Sequence, residues 1–218
     1  MSTEHIILND SLQSYLANMH SIHGDALLEE LRIETQKLCG ERAVMQISAP
    51  QGTLLSLLVG ITQARNVIEV GTFTGYSALC IARALPPDGR LTCCDISEEW
   101  TAVGRRYWER AGVAHKIDLR IAPADETLRA LPPDTKFDLA FVDADKPGYG
   151  AYYEALLPLM RKNALFVFDN MLYHGAIEDG GNEEAVVLNA LNRKLSTDPR
   201  VESVLLPFSD GLNFARVR

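Results

Sequence analysis

No apolar run in this 218-residue chain approaches the roughly 18 residues of a membrane-spanning helix, and Met1-Ser-Thr-Glu-His5 lacks the basic and apolar stretches of a secretory leader. The expectation is a soluble, cytoplasmic protein that neither crosses nor needs a membrane. Cysteine is scarce. Cys39, Cys80, Cys93 and Cys94 show no paired metal-ligand spacing, and a strand would send the adjacent Cys93 and Cys94 to opposite faces, so all four read as reduced structural thiols. Basic residues are outnumbered, 21 against 29 acidic, and a net charge of −8 disfavours a nonspecific polyanion-binding surface. Nucleic acid is therefore not an expected partner. Nothing rich in proline, glycine or low-complexity sequence divides the chain, and its 47% hydrophobic content can fill one substantial core. Residues 1–218 read as one domain, with a helical cap over 1–45 and the main core over 46–218.

What is present is alternation. Helical segments near 9–19 and 24–39 are followed by a Leu-rich helix opened by Pro50. Strands near 66–70, 90–95, 116–121, 137–142 and 163–168 then alternate with helices near 75–84, 98–111, 124–130 and 149–161. This is the pattern of an α/β fold with a parallel sheet covered on both faces. A last helix near 182–196 precedes two short strands, 201–206 and 212–217, whose turn at Pro207-Phe-Ser-Asp-Gly211 would make one edge strand antiparallel.

The most informative stretch is Val67-Ile-Glu-Val-Gly71-Thr-Phe-Thr-Gly75-Tyr-Ser77, a buried strand that breaks into a glycine turn and opens a helix. A nucleotide-like ligand docks at such a turn. The spacing Gly71-x-x-x-Gly75 lacks the third glycine that lets backbone amides approach a pyrophosphate, which points to an adenosyl ligand without a diphosphate. Asp95 ends the next strand 24 positions past Gly71, near the offset of roughly 20 at which an acid meets ribose hydroxyls. Glu69 is an acid inside an apolar run and needs a partner there, because burying an unpaired charge costs several kcal/mol. Two acids and a glycine turn suggest S-adenosylmethionine.

A second group stands at neighbouring strand ends. Phe137-Asp-Leu-Ala-Phe-Val-Asp143 continues into Ala144-Asp145-Lys146, and Ala164-Leu-Phe-Val-Phe168 continues into Asp169-Asn170. Carboxyl ends of neighbouring parallel strands share one edge, about 4.8 Å apart, so Asp143, Asp169 and Asn170 can converge. Taken singly, either aspartate would read as a helix cap; taken with Asn170, the three oxygen donors suit a hard cation such as Mg2+. Such an ion could bind two vicinal hydroxyls of an acceptor. Lys146 could act there as a general base or purely through its charge.

The segments Glu-Val-Gly-Thr-Phe-Thr-Gly-Tyr-Ser (69–77), Cys-Asp-Ile-Ser (94–97), Phe-Val-Asp-Ala-Asp-Lys (141–146) and Phe-Asp-Asn (168–170), in this order, resemble the cation-dependent O-methyltransferases of the caffeoyl-CoA and catechol type. The resemblance runs from about Met45 to the C-terminus. It implies a class I S-adenosylmethionine-dependent methyltransferase (Rossmann-like) fold, with a seven-stranded, mostly parallel sheet of order 3-2-1-4-5-7-6, helices on both faces and extra N-terminal helices. It also implies a homodimer, and Mg2+ or another divalent cation such as Mn2+ or Ca2+ on Asp143, Asp169 and Asn170. By the same resemblance Met45, Ile47, Glu69, Gly71, Thr72, Ser77, Asp95, Ala124, Asp143 and Asp145 fall on cofactor-contact positions. Lys146 matches the lysine implicated as catalytic base, beside Asp143.

The chain departs from that pattern where Asn170-Met-Leu-Tyr173-His174 replaces the usual Asn-x-Leu-Trp, which leaves Tyr173 and His174 as the candidate substrate contacts. Asn163-Ala164 likewise stands where a Gly-Gly pair often precedes the fifth strand. The expected reaction is methyl transfer to a hydroxyl of a small phenolic, catechol-like or other vicinal-oxygen acceptor. No long basic insertion is present to clamp a coenzyme A tail. Two alternatives are an NAD-type oxidoreductase, disfavoured by the missing third glycine, and a non-catalytic S-adenosylmethionine-binding protein, disfavoured by the intact Asp143, Asp169, Asn170 and Lys146 set. Trp100 and Trp108 read as packing, and Tyr149, Tyr152 and Tyr153 as core or dimer contacts competing with a pocket role.

Overall fold

The computed structural model describes residues 9–177 and 181–218; residues 1–8 of the expected cap, His5 among them, lie outside the described residues. The short apolar runs become strands β1 (Asn66–Val70), β2 (Arg90–Asp95), β3 (Ile117–Ile121), β4 (Phe137–Val142), β5 (Met160–Phe168), β6 (Val201–Leu206) and β7 (Leu212–Val217). They form one sheet in the order β3-β2-β1-β4-β5-β7-β6. β1 is parallel to β2 on one side and β4 on the other, and β4 is parallel to β5. The order reverses beside β1, so its carboxyl end is the topological switch point where ligands dock in open α/β sheets.

Helices cover both faces. Before β1 come α1 (Asp10–Asn18), α2 (Ala26–Cys39) and α3 (Ala49–Ile61); after it come α4 (Tyr76–Ala84), α5 (Glu98–Arg110), α6 (Ala124–Ala130), α7 (Tyr149–Leu156) and α8 (Glu183–Thr197). One core unites Leu31, Leu55, Leu79, Val103 and Trp108 with Val67, Leu91 and Leu139 of the sheet. The opposite core packs Leu128, Tyr153, Leu156, Leu188 and Leu191 against Ile68, Ala140 and Phe166. The alternation of Val67 and Ile68 between the two cores is the period of two expected of a strand buried on both faces.

Two boundaries differ from the sequence reading. The helix expected over 149–161 ends at Leu156; the chain passes through a 3-10 turn at Leu157–Leu159, and β5 begins at Met160 rather than near 163. Pro158 has no N–H to continue the helical ladder, so the break falls there. Asn163 then lies inside β5 with φ 65°, and the β4–β5 register shifts between Phe137 and Leu139, a bulge that absorbs the left-handed residue. The antiparallel strand is not the edge: β7 runs antiparallel to both β5 and β6, and β6 is outermost.

Candidate active site

The turn after β1 is held from three sides. Asp95 Oδ2 accepts the backbone N–H groups of Thr72 (2.9 Å) and Phe73 (2.7 Å), while its Oδ1 accepts that of Ser97 (2.7 Å). Trp108, read from the sequence as packing alone, also donates its indole N–H to the carbonyl of Gly75 at 3.0 Å. Trp100 is set apart from it, edge-to-face against Phe73. Gly71 has φ 92°, and a Cβ there would stand 2.0 Å from the carbonyl oxygen of Asp143, so the glycine brings the β1 turn directly onto the end of β4.

Two buried oxygens in this turn lack partners: Glu69 Oε1 and Thr72 Oγ1. Glu69 Oε2 accepts a long bond from the Cys93 thiol, 3.4 Å, and the hydroxyls of Ser77 and Thr72 pull against the effect of burial on the carboxyl. Burial pushes the Glu69 carboxyl up to about 7. Ser77 is buried on the first turn of α4, Ile47 is buried, and Met45 is exposed at the end of a 3-10 turn, Gly40–Met45. Ala124 opens α6, packed against the core on the opposite face from α4. Orphaned buried acceptors beside a backbone turn that only glycine can make fit a polar, nucleoside-bearing ligand.

The second group meets at the ends of β4 and β5. Lys146 Nζ donates to Asp143 Oδ1 (3.2 Å), Asn170 Oδ1 (2.7 Å) and the Tyr149 hydroxyl (2.8 Å), and Tyr149 donates onward to the Asp169 carbonyl at 3.2 Å. Asp169 Oδ1 accepts the N–H of Asn170 at 2.7 Å, and its Oδ2 accepts Gln51 Nε2, also at 2.7 Å. Burial and then the charge of Asp143 push the Asp169 carboxyl up to about 7. Burial raises Asp143 as well, with Lys146 pulling against it. The charge of Asp143 raises Asp169 and that of Asp210 raises Asp143, so the corner gathers more negative charge than the single Lys146 ammonium offsets. Among the described residues no three His, Cys, Asp or Glu side chains cluster as a preassembled metal centre. The donor set here is two carboxylates and one amide oxygen, all hard, and it fits a hard divalent cation.

Asp145 does not pair with Lys146. Its Oδ1 accepts the Tyr152 hydroxyl at 2.6 Å and its Oδ2 the N–H of Gly148 at 3.1 Å, so in this structure it caps the turn that carries Lys146. Tyr173 donates to Glu184, and His174 is exposed, its Nδ1 3.6 Å from Asp210 Oδ2. Asn170, Tyr173 and His174 all have positive φ (57°, 44° and 54°), a strained run at the mouth of the site.

Two residues of this corner, Gln51 and Asp210, escape the sequence reading. Gln51 completes a capping box with Ser48, where its Oε1 accepts the Ser48 N–H; that obligate donor turns Nε2 toward Asp169. Asp210, in the β6–β7 turn, accepts Asn170 Nδ2 at 3.2 Å and the His174 N–H at 2.6 Å. Tyr149, for which the sequence leaves core packing, a dimer contact and a pocket role open, links Lys146 to the Asp169 carbonyl through its hydroxyl.

A family model described as O-methyltransferase matches residues 18–218. A probable caffeoyl-CoA O-methyltransferase 2 of Dictyostelium discoideum is 39% identical over 212 residues, 94% of this chain and 90% of that protein. A tricin synthase 2 of Oryza sativa subsp. japonica is 40% identical over 230 residues, 99% of this chain and 77% of that one. Among solved structures, the O-methyltransferase TomG from Streptomyces achromogenes, involved in tomaymycin synthesis and crystallised with S-adenosylmethionine, has a TM-score of 0.86 at 30% identity and covers 96% of each chain.

Proposed function

The chain belongs to the O-methyltransferase family and is an S-adenosylmethionine-dependent O-methyltransferase; from that premise we propose that it methylates one of two vicinal oxygens on a small aromatic acceptor, with a divalent cation held by Asp143, Asp169 and Asn170. The observation that carries this reading is the corner at which Asp143, Asn170 and Lys146 meet, set against the glycine turn by the contact of Gly71 with Asp143.

The cofactor supplies an electrophilic methyl group on a sulfonium, and the cation supplies Lewis acidity toward the acceptor's oxygens. Glu69, Gly71, Thr72, Ser77 and Asp95, with Met45, Ile47, Ala124 and Asp145, would hold the cofactor, Asp95 being the acid suited to its ribose hydroxyls. Lys146, in its neutral amine form, would accept the proton of the attacking hydroxyl at Nζ and become the ammonium, Tyr149 would keep that nitrogen in place, and Tyr173 and His174 would border the acceptor. The bond formed is oxygen to methyl carbon, the bond broken is methyl carbon to sulfur, and the sulfur leaves as a neutral thioether. Similarity to proteins named for caffeoyl-CoA and for tricin supports phenolic acceptors. The chain's lack of a long basic insertion favours free phenols over thioesters. The oxidoreductase and non-catalytic alternatives have no support from these relatives.

A methyl-transfer assay on catechol, flavonoid and hydroxycinnamoyl acceptors tests the reading. Turnover is expected to vanish with chelator and to return with Mg2+. Asp169→Ala is expected to lose it while still binding S-adenosylhomocysteine, and Lys146→Arg, which keeps the charge but takes no proton, to lose about 100-fold or more. Chelator-insensitive turnover contradicts the metal, and an active Lys146→Arg contradicts the base.

A further inference from the structure

The glycine turn is gripped at a point that the cofactor reading leaves unused. Thr74, inside the turn, and Thr35, on α2, are both fully buried, and their hydroxyls stand 2.8 Å apart. Thr35 has a single hydroxyl hydrogen and spends it on the Leu31 carbonyl at 2.8 Å, so the hydrogen between the two hydroxyls comes from Thr74. Gln46 Nε2 closes the node, 3.0 Å from Thr35 Oγ1 and 3.1 Å from Thr74 Oγ1.

Each arm of this node belongs to a different element. Thr35 is a fixed post, because the residues around it tie α2 to α5: Glu34 accepts the Tyr107 hydroxyl at 2.7 Å and pairs with Arg106, and Glu30 pairs with Arg110 at 2.6 Å. Thr74 lies between Phe73, whose N–H is held by Asp95, and Gly75, whose carbonyl is held by Trp108. Gln46 lies between Met45 and Ile47, on the short segment that links the 3-10 turn to the Ser48 cap of α3. With no regular ladder across residues 46–48, the Gln46 amide is a direct tie between that segment and the glycine turn.

We propose that Gln46 is a positioning residue that sets cofactor affinity: through Thr74 and Thr35 it pins the Met45–Ile47 segment against the glycine turn, so that the two walls of the cofactor pocket are held at one separation. The proposal rests on the assignment of Met45 and Ile47 as cofactor contacts. Removing the amide leaves the buried Thr74 hydroxyl without a donor and frees the segment, a change felt where the ligand must touch both walls at once.

The test is binding of S-adenosylhomocysteine by calorimetry together with steady-state kinetics. Gln46→Ala is expected to raise the Kd and the KM for S-adenosylmethionine about tenfold, while kcat and the KM for the acceptor stay within about twofold. A merely structural role would lower the active fraction, and hence kcat, without moving KM. Thr74→Val is expected to repeat the loss and Thr74→Ser, which keeps the hydroxyl, to restore wild-type affinity; this pair carries the comparison if Gln46→Ala does not fold. A Gln46→Ala protein that binds as tightly as a binding-competent wild type overturns the inference alone. A wild type that does not bind S-adenosylhomocysteine overturns the cofactor assignment and the inference with it.

Discussion

Glu69 shows how one carboxyl can serve the site at a cost to the fold. It is fully buried on β1, one oxygen has no partner, and its folded-state value of about 7 lies above the ordinary 4.5. Below about pH 4.5 the acid is neutral in both folded and unfolded chains and no penalty applies. Between about pH 4.5 and 7 the unfolded chain ionises this acid while the folded chain keeps its proton, so stability falls across that window, and above about 7 the full penalty of a buried charge applies. Glu69→Gln is therefore expected to melt higher than wild type at pH 8 in the absence of ligand, by up to roughly 3 kcal/mol, and to bind S-adenosylhomocysteine poorly. Thermal denaturation from pH 4 to pH 9 checks it. Asp169, pushed up to about 7 by the same physics, leaves part of the slope in the variant. An unchanged pH profile would contradict the account of Glu69.

At the scale of elements, the site is a meeting of strand ends braced by a distant turn. The β6–β7 turn supplies Asp210, which fixes both the amide of Asn170 and the backbone of His174; the Asp210 carbonyl also accepts the N–H of Leu172 at 2.9 Å. Asp210→Ala should release the strained Asn170–His174 run. The expected outcome is a KM for the phenolic acceptor raised about tenfold, with Kd for S-adenosylhomocysteine unchanged. An acceptor KM that does not move would show that the brace is idle.

The same elements show what could be read in advance. The β1 turn and the acids closing β2, β4 and β5 are local signals, carried by residues a few positions apart, and so they stood out as a group. The grip of Gln51 on Asp169 spans 118 positions and that of Asp210 on Asn170 spans 40, and such pairings depend on tertiary packing that no local pattern encodes. The start of β5 was misplaced because a left-handed Asn163 and a bulge hide its first residues from a period-two pattern. The hairpin turn identified β6 and β7 as neighbours; that β7 is the one beside β5 followed from the family resemblance, since periodicity is silent on which strand packs inward.

For the molecule as a whole, the helices leave part of the sheet's far edge uncovered. A groove of about 320 Å³ lies along β5, β7 and β6, lined by Leu165, Val204 and Phe214 and flanked by Glu202 and Arg216. Glu202 and Arg216 pair with each other at 2.6 Å, which leaves the apolar strip between them as the surface on which we propose that the homodimer implied by the family resemblance forms. Sedimentation of the native protein at twice its 24.1 kDa chain mass is the expected result. A monomer at micromolar concentration would contradict it. No single helix among the described residues is long and apolar enough to cross a membrane.

The central claim is that two carboxylates and an amide oxygen from adjoining strands hold one divalent ion beside the methyl donor. Its most direct test is anomalous diffraction at the manganese edge from crystals grown with Mn2+ and S-adenosylhomocysteine. One peak per chain within about 2.5 Å of oxygens of Asp143, Asp169 and Asn170, with Lys146 Nζ displaced from at least one of its present partners, is the predicted result. A map with S-adenosylhomocysteine bound, no peak at that corner, and Lys146 still joined to both Asp143 and Asn170 would contradict it.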